Sequence, residues 1–95
     1  VVDVSGEVIA LFREWILPRF PHREKLRFVC RDAFDFAETE MAGAFDFVYT
    51  DIWHDAGDGK DLYLKMKAYE SKCPGAQFEY WLEDTIRCYL NPELW

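Results

Sequence analysis

Apolar residues recur along the chain with two different periods. From Gly6 to Leu17 they fall at Val8, Ile9, Leu11, Phe12, Trp15 and Ile16, the i, i+3, i+4, i+7 spacing of an amphipathic helix. Ser5 is placed to cap the first turn, Glu7 meets the positive end of the helix dipole, and Pro18 and Pro21 stop the pattern. Val1–Val4 and Lys25–Cys30 read as short strands, and Phe45–Thr50 has the length and the β-branched and aromatic content of a buried parallel strand. Between the second and third, Arg31 to Phe36 reads as a polar turn with two aromatics, followed by a short helix through Glu38–Met41 that Gly43 ends. Gly57 and Gly59 mark a loop. Asp61–Lys72 then predicts a helix with Leu62, Met66 and Tyr69 on one face. Cys73-Pro74-Gly75 breaks it, and Gln77–Leu90 predicts a last helix striped by Phe78, Trp81, Leu82, Ile86 and Tyr89.

Strands alternating with helices imply parallel pairing and right-handed crossovers. The expectation is a single α/β domain, a partial Rossmann-like three-layer fold whose short parallel sheet has about three strands and flanking helices. Composition sharpens this. A chain of 95 residues that is 51% apolar and 18% aromatic carries more ring surface than a small domain can hide. The chain also starts inside a strand, at Val1-Val2-Asp3-Val4. We therefore expect the central piece of a larger domain, or a partner surface.

No apolar run approaches the ~18 residues that span a bilayer, and nothing resembles a signal peptide. The expectation is a cytoplasmic protein without a membrane partner. The formal net charge is −7 and the Lys and Arg are scattered, so the phosphate-neutralising footprint of a nucleic-acid binder is missing. Cys30, Cys73 and Cys88 are widely spaced with no CxxC pair, which fits buried or idle thiols better than zinc or dithiol chemistry.

Candidate chemistry concentrates where the third strand ends, at Asp51-Ile52-Trp53-His54-Asp55. Open α/β sheets bind ligands outside the carboxyl ends of their strands, so titratable groups there call for a functional reading. The bland alternative is that Asp58 caps the next helix while His54 and Asp55 are solvated, and that Trp53 belongs to the core. His54 remains a candidate proton shuttle because its charge changes near neutral pH.

Three stretches together resemble class I S-adenosylmethionine-dependent methyltransferases, in particular their spermidine-synthase-like members. Val2-Asp3-Val4-Ser5-Gly6-Glu7-Val8-Ile9 is similar to the family's second strand and following helix. Val29-Cys30-Arg31-Asp32-Ala33-Phe34 is similar to its third strand and Asp-Ala turn, and Phe45-Asp46-Phe47-Val48-Tyr49-Thr50-Asp51 to its fourth strand. The resemblance implies that Asp3, with Val4 beside it, accepts hydrogen bonds from the two ribose hydroxyls of the cofactor. It implies that Asp32 and Ala33 receive the adenine, and that Asp51 stands beside the methyl group and acceptor as a catalytic base. Trp53 would cover the cofactor or the acceptor.

The chain departs from the family at several points. No GxGxG-like loop occurs in it, so the first strand and its glycine loop are expected upstream of Val1. The final antiparallel strands of the fold have no match. Aminopropyl transferases continue Asp-x-x-Asp-Pro after the fourth strand, whereas His54 stands at that position here. Catechol-type O-methyltransferases carry Asp-x-Trp-x-Asp, whose first Asp ligates magnesium, but their remaining ligands, an Asp-Asn pair after the next strand, have no match here, and no metal is expected. In the family the first strand lies between the second and fourth, so the edges it leaves open invite pairing with another chain, including a homo-oligomer. Two other classes compete: a non-catalytic Rossmann-like interaction module that has lost cofactor binding, and a nucleotide-sugar or NAD-type half-domain, in which Asp3 would again hold a ribose.

Overall fold

The chain leaves β1 (Val2–Asp3) early because the next residues already prepare a helix. Asp3 Oδ1 accepts the Ser5 N–H at 2.8 Å, and Ser5 Oγ accepts the Val8 N–H at 3.2 Å, which caps α1 (Gly6–Trp15). This is a computed structural model; it describes residues 1–43 and 45–90, in two compact units that divide in sequence between Ala37 and Glu38.

In the first unit β1 pairs in parallel with β2 (Val29–Cys30), Val2 opposite Val29 and Asp3 opposite Cys30. The expected strand over Lys25–Cys30 is shorter than predicted, because Arg23–Lys25 closes a 3-10 turn after His22 turns the backbone left-handed at φ 56°. From α1, Phe12 packs its ring 5.3 Å from Phe28 and 6.2 Å from Phe20. Val8, Leu11 and Trp15, on the other flank of the same apolar arc, are exposed. α2 (Ala33–Glu40) begins at Ala33, not Glu38, because Asp32 Oδ1 accepts the N–H groups of Phe34 and Asp35 at 2.9 and 3.1 Å. The polar turn expected over Arg31–Phe36 is therefore largely helix.

In the second unit β3 (Phe47–Thr50) pairs in parallel with β4 (Gln77–Tyr80), Val48 opposite Phe78 and Thr50 opposite Tyr80. This corrects the long final helix. Gln77 and Glu79 are exposed while Phe78 and Tyr80 turn inward, the alternation of a half-buried strand. Helix resumes only at α4 (Glu83–Arg87), after Leu82 adopts a left-handed φ of 58°. α3 (Ala56–Lys67) starts before both glycines assigned to a loop and runs on into a 3-10 turn over Ala68–Lys72. Its buried stripe is Ala56, Gly59, Tyr63 and Met66, one face over from the expected Leu62, Met66 and Tyr69.

The architecture is mixed α/β with short parallel pairs, and among the described residues two separate two-stranded sheets stand in place of one of about three strands. On one face of the β3–β4 pair Phe47 and Tyr49 remain 53% and 55% exposed, although parallel sheets are ordinarily covered on both sides. Among the described residues no helix is long and apolar enough to cross a membrane.

Candidate functional site

Parallel pairing brings Asp3 and Asp32 to the same, carboxyl-terminal edge of the β1–β2 pair. The last rung is the Arg31 N–H donated to the Asp3 carbonyl at 3.1 Å, and Asp32 follows immediately. Both acids use Oδ1 to shape the turn into the next helix, Asp3 through Ser5 and Asp32 through Phe34 and Asp35. In each, Oδ2 points to no donor among the described residues. Val4 is exposed beside Asp3, and Ala33 is half-buried in the first turn of α2. A carboxylate that spends one oxygen on its own backbone and keeps the other available suits a ligand that donates hydroxyl or amino hydrogens.

The cluster after β3 separates into parts. Asp55 is the N-cap of α3, its Oδ1 accepting the Asp58 N–H at 2.7 Å. Asp58 Oδ2 reaches back to the His54 N–H at 3.3 Å, so the two acids hold the helix start reciprocally, much as a capping box does. The cap is thus Asp55, and Asp58 supports it, the reverse of the expected assignment. Trp53 is 5% exposed and lies in the core, edge-on to Tyr63 with ring centroids 6.4 Å apart. Its Nε1–H donates to the Trp81 carbonyl at 3.0 Å. What is left for chemistry is the exposed Asp51 carboxylate, directly after the buried Thr50, and the exposed His54 ring.

Sequence reading missed a paired network beside these residues. The Tyr63 hydroxyl donates to Glu83 Oε2 at 2.6 Å, and the Tyr80 hydroxyl donates to Glu70 Oε2 at 2.6 Å. Arg87 stands 3.4 Å from the first carboxylate and Lys67 3.4 Å from the second. The two rings meet edge-on, with centroids 5.0 Å apart, and the Lys67 ammonium sits 5.6 and 5.7 Å from their centres. Burial, then the bond to a carboxylate, pushes both phenols above their ordinary range. The signal was the spacing of Tyr63, Lys67 and Glu70 on one helical face, invisible without knowing that Tyr80 lies on a strand opposite.

Among the described residues no group of three or more His, Cys, Asp or Glu side chains is placed to hold a metal ion. Compared with known proteins, the chain matches no family model, no curated protein and no solved structure.

Proposed function

We propose that the chain is the middle of a class I S-adenosylmethionine-dependent methyltransferase domain. The observation that carries the reading is the pairing of strands. A doubly wound sheet of order 3-2-1-4-5-6 sets its second strand beside its third and its fourth beside its fifth, all parallel. If β1 is the second strand, β2 is the third, β3 the fourth and β4 the fifth, and the two observed pairs are those the order requires. β4 supports the reading because the resemblance did not draw on it. In that order the first strand lies beside the fourth, so the open edge of β3 would take it or another chain.

On this reading Asp3 holds the ribose and Asp32 the adenine, each through the carboxylate oxygen that its own turn leaves unused, with Val4 and Ala33 lining the cofactor beside them. The bound cofactor supplies an electrophilic methyl group on a sulfonium. The chain's own part is to orient the acceptor in line with that methyl, which is where most of the acceleration of such a transfer originates. Asp51 would take the proton that the acceptor sheds on methylation, the carbon–sulfur bond breaking with its electrons kept by sulfur as a neutral thioether. His54, exposed three residues beyond Asp51, is the candidate to pass that proton to water.

The exposed Phe47 and Tyr49 on β3, and Val8, Leu11 and Trp15 on α1, favour the second reading, a Rossmann-like module that serves as an interaction surface. One titration separates the two. Calorimetry of S-adenosylmethionine into the full gene product is expected to give saturable one-to-one binding. A flat isotherm would remove the methyltransferase reading.

A further inference from the structure

We infer that Trp53 is a positioning residue that fixes where Asp51 stands, an inference that rests on the role given to Asp51 above. Asp51 makes no side-chain hydrogen bond of its own among the described residues, so its place is set by its neighbours. Trp81 holds the chain on both sides of it. The Trp81 N–H donates to the Thr50 carbonyl at 2.9 Å, and the Trp81 carbonyl accepts the Trp53 Nε1–H at 3.0 Å. Asp51 and Ile52 are the two residues between these anchors.

The first anchor continues the β3–β4 ladder. The second is a side chain reaching from the loop after β3 to the loop after β4, and it depends on the indole staying in its slot. Two contacts keep it there. The α3 backbone at Gly59 lies so close that a Cβ would stand 2.6 Å from Trp53 Cγ, and the Tyr63 ring meets the indole edge-on at 83°. Tyr63 is itself fully buried and tied to Glu83 at the start of α4. The elements that follow β3 and β4 are thereby locked to each other through the indole, and Asp51 is carried on that lock as a carboxylate with a fixed base and a free head. A group that must meet a substrate proton within hydrogen-bond range gains from such rigidity, because a misplacement of about 1 Å can cost roughly 10²-fold in rate.

The Trp81 partner is a backbone carbonyl, so only the donor can be removed. Trp53→Phe keeps a ring and deletes the N–H. Incorporating 3-benzothienylalanine at position 53 in the full chain deletes the N–H with almost no change of shape, and serves where Trp53→Phe folds poorly. Backbone ¹⁵N relaxation is expected to show the amides of Asp51 and Ile52 falling from rigid order parameters near ~0.85 to below ~0.6, with Val48 unchanged. Turnover per folded molecule should fall roughly 10²-fold while S-adenosylmethionine affinity stays within about twofold. In the variant, Asp51→Asn should then cost much less than it does in the parent, because the carboxylate is already displaced. Unchanged order parameters at Asp51 and Ile52, or an equal cost of Asp51→Asn in both backgrounds, would overturn the inference. If the parent binds no cofactor, the methyltransferase reading fails on that result alone. The relaxation measurement then still decides whether Trp53 holds Asp51.

Discussion

Gly59 lies directly beneath the indole of Trp53: a Cβ there would stand 2.6 Å from Cγ, with Cδ1 and Cδ2 at 2.8 and 2.9 Å. Helix propensity favours Ala over Gly by about 1 kcal/mol, yet the clash is with a ring that is held on its other sides. Gly59→Ala should therefore destabilise the protein by about 1–3 kcal/mol, as overpacking does. Gly57, on the same helix, is the internal control. Among the described residues a Cβ there meets only Asp55 Oδ1 at 3.6 Å and Tyr89 Cε1 at 4.0 Å, so Gly57→Ala should be neutral or stabilising. Denaturant midpoints of the two variants check the contrast, and equal effects would contradict the packing described.

The acids around α3 divide by whether their carboxylates already bond backbone N–H groups, as those of Asp55 and Asp58 do. Asp55→Ala removes the N-cap and should cost about 1 kcal/mol of stability. Asp51→Asn removes a charge from a side chain with no partner among the described residues, and should leave the melting temperature where it was. Methyl transfer per folded molecule should fall by ~10²–10⁴ for Asp51→Asn. Measuring melting and turnover on both variants exposes an error in either assignment: a destabilised but fully active Asp51→Asn protein would end the catalytic claim for Asp51.

Asp3 carries a double load, because the oxygen that orders Ser5 belongs to the carboxylate proposed to bind ribose. Asp3→Asn keeps an acceptor for the Ser5 N–H and loses the charge, so it separates the two duties. Its folding stability should stay close to the parent's, while S-adenosylmethionine affinity of the full gene product drops by about 1–3 kcal/mol. Isothermal titration with unchanged affinity would remove Asp3 from the cofactor site.

Two phenols raised by burial make stability sensitive to alkali. Unfolded tyrosine ionises near pH ~10, whereas folded Tyr63 and Tyr80 hold their protons to higher pH. Above that point the unfolded chain binds fewer protons than the folded one. The stability they contribute is thus complete below pH ~10 and is lost as pH rises further. Unfolding free energy measured from pH 8 to 12 should show this decline, and Tyr63→Phe with Tyr80→Phe should flatten it. A decline of the same slope in the double variant would point to other groups.

What could be read from the sequence was whatever depends on near neighbours. The stripe of α1, its Ser5 cap and the strand before Asp51 are signalled by residues a few positions apart, and they stand where expected, apart from a residue or two at the ends. β4 was missed because Phe78, Trp81, Leu82, Ile86 and Tyr89 also satisfy a helical period. Only pairing with β3 makes the alternation from Gln77 to Tyr80 the winning one. Gly57 and Gly59 suggested a loop, since a glycine's usual meaning is a break. The Asp55–Asp58 cap and the indole over Gly59 overrule that meaning, and the second of these is a contact no local pattern encodes. In the candidate site, the carboxyl-end position of Asp3, Asp32 and Asp51 was legible from strand ends. Which acids were already committed to capping was not, because it depends on where α2 and α3 begin.

The three thiols differ in a way that makes the molecule its own clock. Cys30 and Cys88 are exposed, whereas Cys73 is 2% exposed, its Sγ 3.3 Å from the Phe45 carbonyl where the chain enters β3. An alkylating reagent reaches the first two from the folded surface. It reaches Cys73 only in molecules whose second unit has come apart locally. The lag between the second and third adducts in a mass spectrum therefore times the breathing of the β3–β4 pair, with no probe attached and no residue changed.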